Sequence, residues 1–189
     1  MLCRILALAA LLPAVLGIKF HGIHLGHSEL EARAQIDPQT CVQYAKDIGV
    51  YHGIYSAPCT RLVGDCLTQA KTTQDPWAQA SCVSAATCQG TTAVTSLLQC
   101  QDPSFDPTQA PSLKKALFAN LAQCDSCDLS FQNYVDFVYG ELSAIGSQDW
   151  PSSVDSVRND WWSYVVAWTN STSAISYADL DDWLKHSNS

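Results

Sequence analysis

The chain has 189 residues, 10 Lys and Arg against 18 Asp and Glu, and a formal net charge of −8. An acidic balance of this kind lacks the phosphate-neutralising cations that nucleic acid and anionic lipid require, so both are excluded as partners. Its length suits one domain with a real core.

Met1-Leu2-Cys3-Arg4 precedes an apolar run from Ile5 to Leu16, and small residues stand at Val15 and Gly17. This pattern predicts a secretory signal peptide over 1–17, cleaved after Gly17. The run falls short of the roughly 20 apolar residues that span a bilayer, so no stable membrane insertion is expected after cleavage. Loss of Arg4 takes the mature charge to −9. Residues 18–36 form a lead-in, flexible by expectation, whose His21, His24 and His27 fall in an H-x-x-H-x-x-H pattern. Such a trio can take a divalent metal, although Gly22 and Gly26 argue against the helix that would align it.

From residue 37 to 187 the signals are helical and predict one all-α domain of about seven or eight short helices. Asp37-Pro38 and Asp75-Pro76 each set an N-capping carboxylate before a proline, which predicts helices at roughly 38–53 and 76–89, the second closed by Gly90. Leu62, Val63, Cys66, Leu67 and Ala70 share a face over roughly 58–71, and Val94, Leu97 and Leu98 do so over roughly 92–100. Leu113, Leu117 and Leu121 follow a Pro-rich loop, and Phe131 to Ile145 carries the clearest stripe, ended by Gly146. After Pro151, the spacing of Val154, Val157, Trp161, Val165 and Trp168 predicts a helix with all five on its core face. The last helix begins at Ser176, where Ser176 and Asp179 resemble a capping box.

The eight cysteines after the signal, Cys41, Cys59, Cys66, Cys82, Cys88, Cys100, Cys124 and Cys127, all lie within 37–127. Their even number predicts a disulfide framework and no free thiol. Residues six or seven apart on one helix are about 9–10 Å apart, too far for a bridge, which excludes Cys59–Cys66 and Cys82–Cys88. Antiparallel neighbours then favour Cys41–Cys66 and Cys82–Cys100. Cys124-Asp125-Ser126-Cys127 is a C-x-x-C without the βαβ context of a redox motif or a second zinc-ligand pair, and a structural disulfide is expected there. The other half, 128–187, holds Trp150, Trp161, Trp162, Trp168 and Trp183 and is expected to rely on aromatic burial.

Candidate chemistry is sparse. No G-x-S-x-G or H-E-x-x-H is present, no catalytic residue is assigned and no cofactor is expected. Asp149, Asp155, Asp160, Asp179, Asp181 and Asp182 could supply a carboxylate pair for glycan hydrolysis. Trp162 falls off the stripe that carries Trp161, beside Arg158 and Val166, and is the candidate ring for stacking on a sugar or anchoring a protein. Asn170-Ser171-Thr172 is an N-glycosylation sequon in a loop.

The C-terminal run Trp161-Trp162, Ala167-Trp168-Thr169, Ile175-Ser176-Tyr177 and Leu180-Asp181-Asp182-Trp183-Leu184-Lys185-His186-Ser187 resembles the end of small secreted cysteine-rich proteins of mushroom-forming fungi. The resemblance implies a compartment and a kind of organism, not a reaction. Three functions stay open, in this order: an extracellular protein binding a glycan or another protein, a secreted glycan-active hydrolase, and metal capture by the histidines.

Overall fold

The computed structural model describes residues 36–189. The expected signal peptide, nearly all of the lead-in, and His21, His24 and His27 lie outside the described residues. What is described is all-α and disulfide-stapled, as composition and periodicity predict.

Helix α1 (Pro38–Lys46) starts where Asp37 accepts from the Gln39 and Thr40 amides, both at 3.1 Å. It stops well short of residue 53. Gly49 (φ +83°) breaks the helix, and β1 (Val50–Tyr51) and β2 (Ile54–Tyr55) pair antiparallel around His52 and Gly53. Positive φ at both turn residues, 48° and 78°, is the geometry that matches the twist of a two-residue hairpin. Strands this short leave no alternation to read.

Helix α2 (Ala57–Ala70) is capped by Ser56 and leads to a 3-10 turn at Pro76–Ala78. The expected helix over 76–89 is interrupted there. Asp75 caps nothing, because its carboxylate pairs with Lys114 at 2.6 Å, and Gln79 is extended. Helix α3 (Ala80–Gln89) follows, closed by Gly90 with φ 90°. It is buried on every side from Ser81 to Gln89. Small residues (Ala, Ser, Cys, Thr) let neighbours approach it from all directions, which makes α3 the central rod.

Helix α4 (Thr91–Gln101) packs against α3 and α1. A 3-10 turn at Pro107–Gln109 and α5 (Lys115–Ala122) come next, α5 ending in a left-handed Gln123. Strands β3 (Leu129–Ser130) and β4 (Ala174–Ile175) pair antiparallel. Each delivers the chain to a capping serine, Ser130 for α6 (Phe131–Ala144) and Ser176 for α9 (Tyr177–His186). Between them, α7 (Val154–Val157), a π turn (Arg158–Trp162) and α8 (Ser163–Thr169) run on as one rod. Buried residues of both halves, from Cys59 to Leu184, share a single core.

The bridges are Cys41–Cys100, Cys59–Cys88, Cys66–Cys82 and Cys124–Cys127. All eight cysteines are paired and the two excluded bridges are absent, but the favoured Cys41–Cys66 and Cys82–Cys100 are wrong. The hairpin redirects the chain so that α1 lies on α4, not on α2. The antiparallel pair that the level argument needs is α2 with α3, and it takes two bridges.

Candidate functional site

The π turn decides which tryptophans face water. An i→i+5 turn holds one residue more than an α turn, so the buried stripe shifts by one position across it. Val157 and Trp161 are buried before the shift, and Trp162 and Val165 after it. Trp162 is only 6% exposed, which corrects its assignment as an exposed stacking ring. It lies 4.9 Å from the Tyr134 ring and 5.9 Å from Phe131, with the Arg158 guanidinium 3.7 Å above Phe131. The same shift turns Trp168 outward, 43% exposed, although the stripe predicts it in the core. Val154, at the far end of that stripe, is exposed as well.

The exposed tryptophan that lines a cavity is Trp150, at 46%. It stacks on Tyr139, with centroids 5.9 Å apart and planes 19° apart, and so is held from one side. Trp150 and Pro151 line a cleft of about 270 Å³ together with Ile54, Tyr55 and Pro58. Ser56, Ser152, Ser156 and Asp160 are among its polar lining. The Ser156 hydroxyl is occupied by the capping box with Ser153. Asp160 is half-buried and makes no hydrogen bond or ion pair with another described residue. The cleft thus offers two aromatic surfaces and one acceptor carboxylate without a partner of its own.

The hairpin wall is set by a buried amide from the central rod. Gln89 accepts from the Gly49 N–H and donates to the Asp47 and Val50 carbonyls, both at 3.1 Å. Gly49 cannot be replaced, since a Cβ there would meet Thr60 Oγ1 and lie 3.3 Å from the Tyr55 ring. His52 stacks on Tyr164 of α8 at 4.1 Å, and Tyr51 meets the same ring edge-on at 5.1 Å. Cys88, bridged to Cys59, also lines the cleft. The Trp150 segment is tied back by Arg61, whose Nε donates to Asp149 at 2.7 Å.

The other aspartates are dispersed. Asp179 accepts from the Ser176 hydroxyl at 2.7 Å, and Asp182 stands 3.9 Å from His186. Asp181 accepts from the Leu113 amide at 2.7 Å and pairs with Lys185. Asp155 lies in the first turn of α7, exposed. Of the six, Asp160 alone lines the cleft, so no carboxylate pair converges there. Among the described residues, no group of three His, Cys, Asp or Glu could hold a metal ion, and no helix is long and apolar enough to cross a membrane. Asn170 is exposed at the end of α8.

Tyr55 escapes detection in sequence because it needs the hairpin. Asp160 is one of the six candidate aspartates, and only the fold singles it out as the one that lines the cleft. Trp150 carries a weak signal, a tryptophan before proline outside any helical stripe. Comparison with protein-family models, curated proteins and solved structures finds no match to this chain.

Proposed function

We propose that this is a secreted extracellular binding protein that takes a neutral saccharide in the cleft between the hairpin and the Trp150 segment. The observation that carries the proposal is the pairing of exposed Trp150 and Tyr55 with the unpartnered Asp160 carboxylate. Sugar rings present an apolar face that packs on aromatic rings and a rim of hydroxyls that donate to a carboxylate. A small, concave, mostly preformed site with few polar groups is the usual form of such a pocket. Four disulfides suit an oxidising compartment, in keeping with the signal-like N-terminal run and the sequon at Asn170. The resemblance to small secreted fungal proteins points to the same compartment.

The test is a binding screen over soluble glycans and insoluble polysaccharides, with wild type, Trp150→Ala and Asp160→Asn. Trp150→Ala is expected to weaken binding by about fivefold to a hundredfold, because one aromatic contact is worth about 1–3 kcal/mol. Far-ultraviolet circular dichroism should be unchanged, as the ring is half in water. Release of sugar from any polysaccharide would overturn the proposal in favour of a hydrolase. Binding of a protein, with no glycan retained, would overturn it in favour of a protein-interaction role.

A further inference from the structure

We propose that Trp168 is a shelf for the first sugar of a glycan carried on Asn170, so that modification locks the end of α8. The proposal rests on the reading above that the chain is secreted and its sequon modified. Trp168 stands two residues before Asn170, and the π turn has rotated it out of the core to 43% exposure. At Asn170 the chain leaves the helix in the left-handed region, φ 52° and ψ 32°. Both the Asn170 and the Ser171 N–H reach back to the Val166 carbonyl, the latter at 3.2 Å. This folds the sequon over the last turn of the helix that bears the indole.

The flanking groups are fixed while the acceptor is not. Thr169 Oγ1 donates to the Val165 carbonyl at 2.9 Å and lies 2.8 Å from Ser171 Oγ. The Asn170 carboxamide makes no hydrogen bond to another described residue, and Thr172, whose hydroxyl completes the sequon, is exposed. The occupant is therefore an N-acetylglucosamine linked to Asn170 Nδ2. Its C–H face and acetyl methyl match an indole ring in size and polarity. Because the sugar is tethered two residues away, packing on Trp168 carries no cost of bringing a free ligand from solution.

The experiment uses full chain secreted from a eukaryotic host, as wild type, Asn170→Gln, Trp168→Ala and the double variant. Intact mass reports occupancy, and thermal unfolding reports the coupling. An endoglycosidase that leaves one N-acetylglucosamine gives a further form. Asn170→Gln costs some stability in either background, because Asn suits the left-handed region better than Gln, and is expected to lower Tm by about 2–4 °C more when Trp168 is present than when it is alanine. Trimming to the single sugar should leave Tm unchanged. An occupied Asn170 with equal Tm losses in both backgrounds would overturn the shelf and leave the modification standing. An unmodified Asn170 would overturn both. Trp168→Ala is exposed enough that loss of folding is not at issue.

Discussion

At the scale of single residues, the fold depends on a few buried polar groups that hydrophobic patterning does not flag. Gln89 sits on the central rod and serves three backbone groups of the hairpin junction. Gln89→Leu leaves the Gly49 N–H and the Val50 carbonyl without partners, and leaves the Asp47 carbonyl only the Val50 N–H, which should cost about 2–4 kcal/mol in urea unfolding and loosen the Tyr55 wall before the rest. Tyr134 is similar: buried among rings, it donates to Thr87 Oγ1 at 2.8 Å, and burial pushes its phenol well above the ordinary range. Glu141 is a carboxyl whose charge the fold disfavours. Burial raises its carboxyl, and the negative Asp65 adds to the rise. A carboxyl raised on folding contributes most below its unfolded value of about 4.3, and that contribution is lost as pH rises through the folded value. Glu141→Gln should therefore raise the denaturation midpoint at pH 7 and leave it nearly unchanged at pH 3. Equal effects at both pH values would show that its charge is not the cause.

At the scale of elements, helix existence was legible and helix orientation was not. Asp37, Ser176, Gly90 and Gly146 announce their caps through side-chain chemistry that acts within three or four residues, so periodicity and punctuation locate those ends. The pairing of cysteines needs to know which rods are neighbours. A two-residue turn at His52 and Gly53, invisible to any alternation test, moves α1 from α2 to α4 and gives Cys41, Cys66, Cys82 and Cys100 each a partner other than the favoured one. The π turn is equally silent, for nothing about Arg158-Asn159-Asp160 announces an extra residue in the turn. Yet it decides that Trp162 is core and that Trp168 is not. The bridges also differ in what they contribute. In the chain-entropy account, Cys41–Cys100, with a separation of 59, should contribute about 4 kcal/mol, and Cys124–Cys127, with a separation of 3, about 2 kcal/mol. Paired Cys→Ser variants measured by thermal unfolding would test that order. Cys127 is exposed and Cys124 half-buried, whereas Cys59, Cys66, Cys82 and Cys88 are sealed. Limited thiol reductant followed by alkylation should label Cys124 and Cys127 first, with helical circular dichroism retained.

At the scale of the whole molecule, Asp181 shows how the second half is fastened to the first. It accepts from the Leu113 amide, while Tyr177 donates to the Leu113 carbonyl at 2.7 Å, so α9 grips the loop before α5 from both sides of one residue. Asp181→Ala is expected to cost about 1.5–3 kcal/mol and to unfold the chain cooperatively, with no separate transition for either half. A residue considered for catalysis is thus a clasp. The order of the three larger bridges along the chain has its own consequence. Cys66–Cys82 lies inside Cys59–Cys88, which lies inside Cys41–Cys100, like brackets within brackets. Nesting of this kind lets oxidation proceed from the inside out, each closure shortening the span that the next must close. It also protects the chain against a cut inside the innermost bracket. The exposed stretch from Lys71 to Gln74 lies within the innermost bracket, so a protease that nicks it leaves two fragments joined by all three bonds. Such a nicked molecule would gain only the mass of one water and stay a single covalent piece until reduced, a form of endurance built into the order of the bonds.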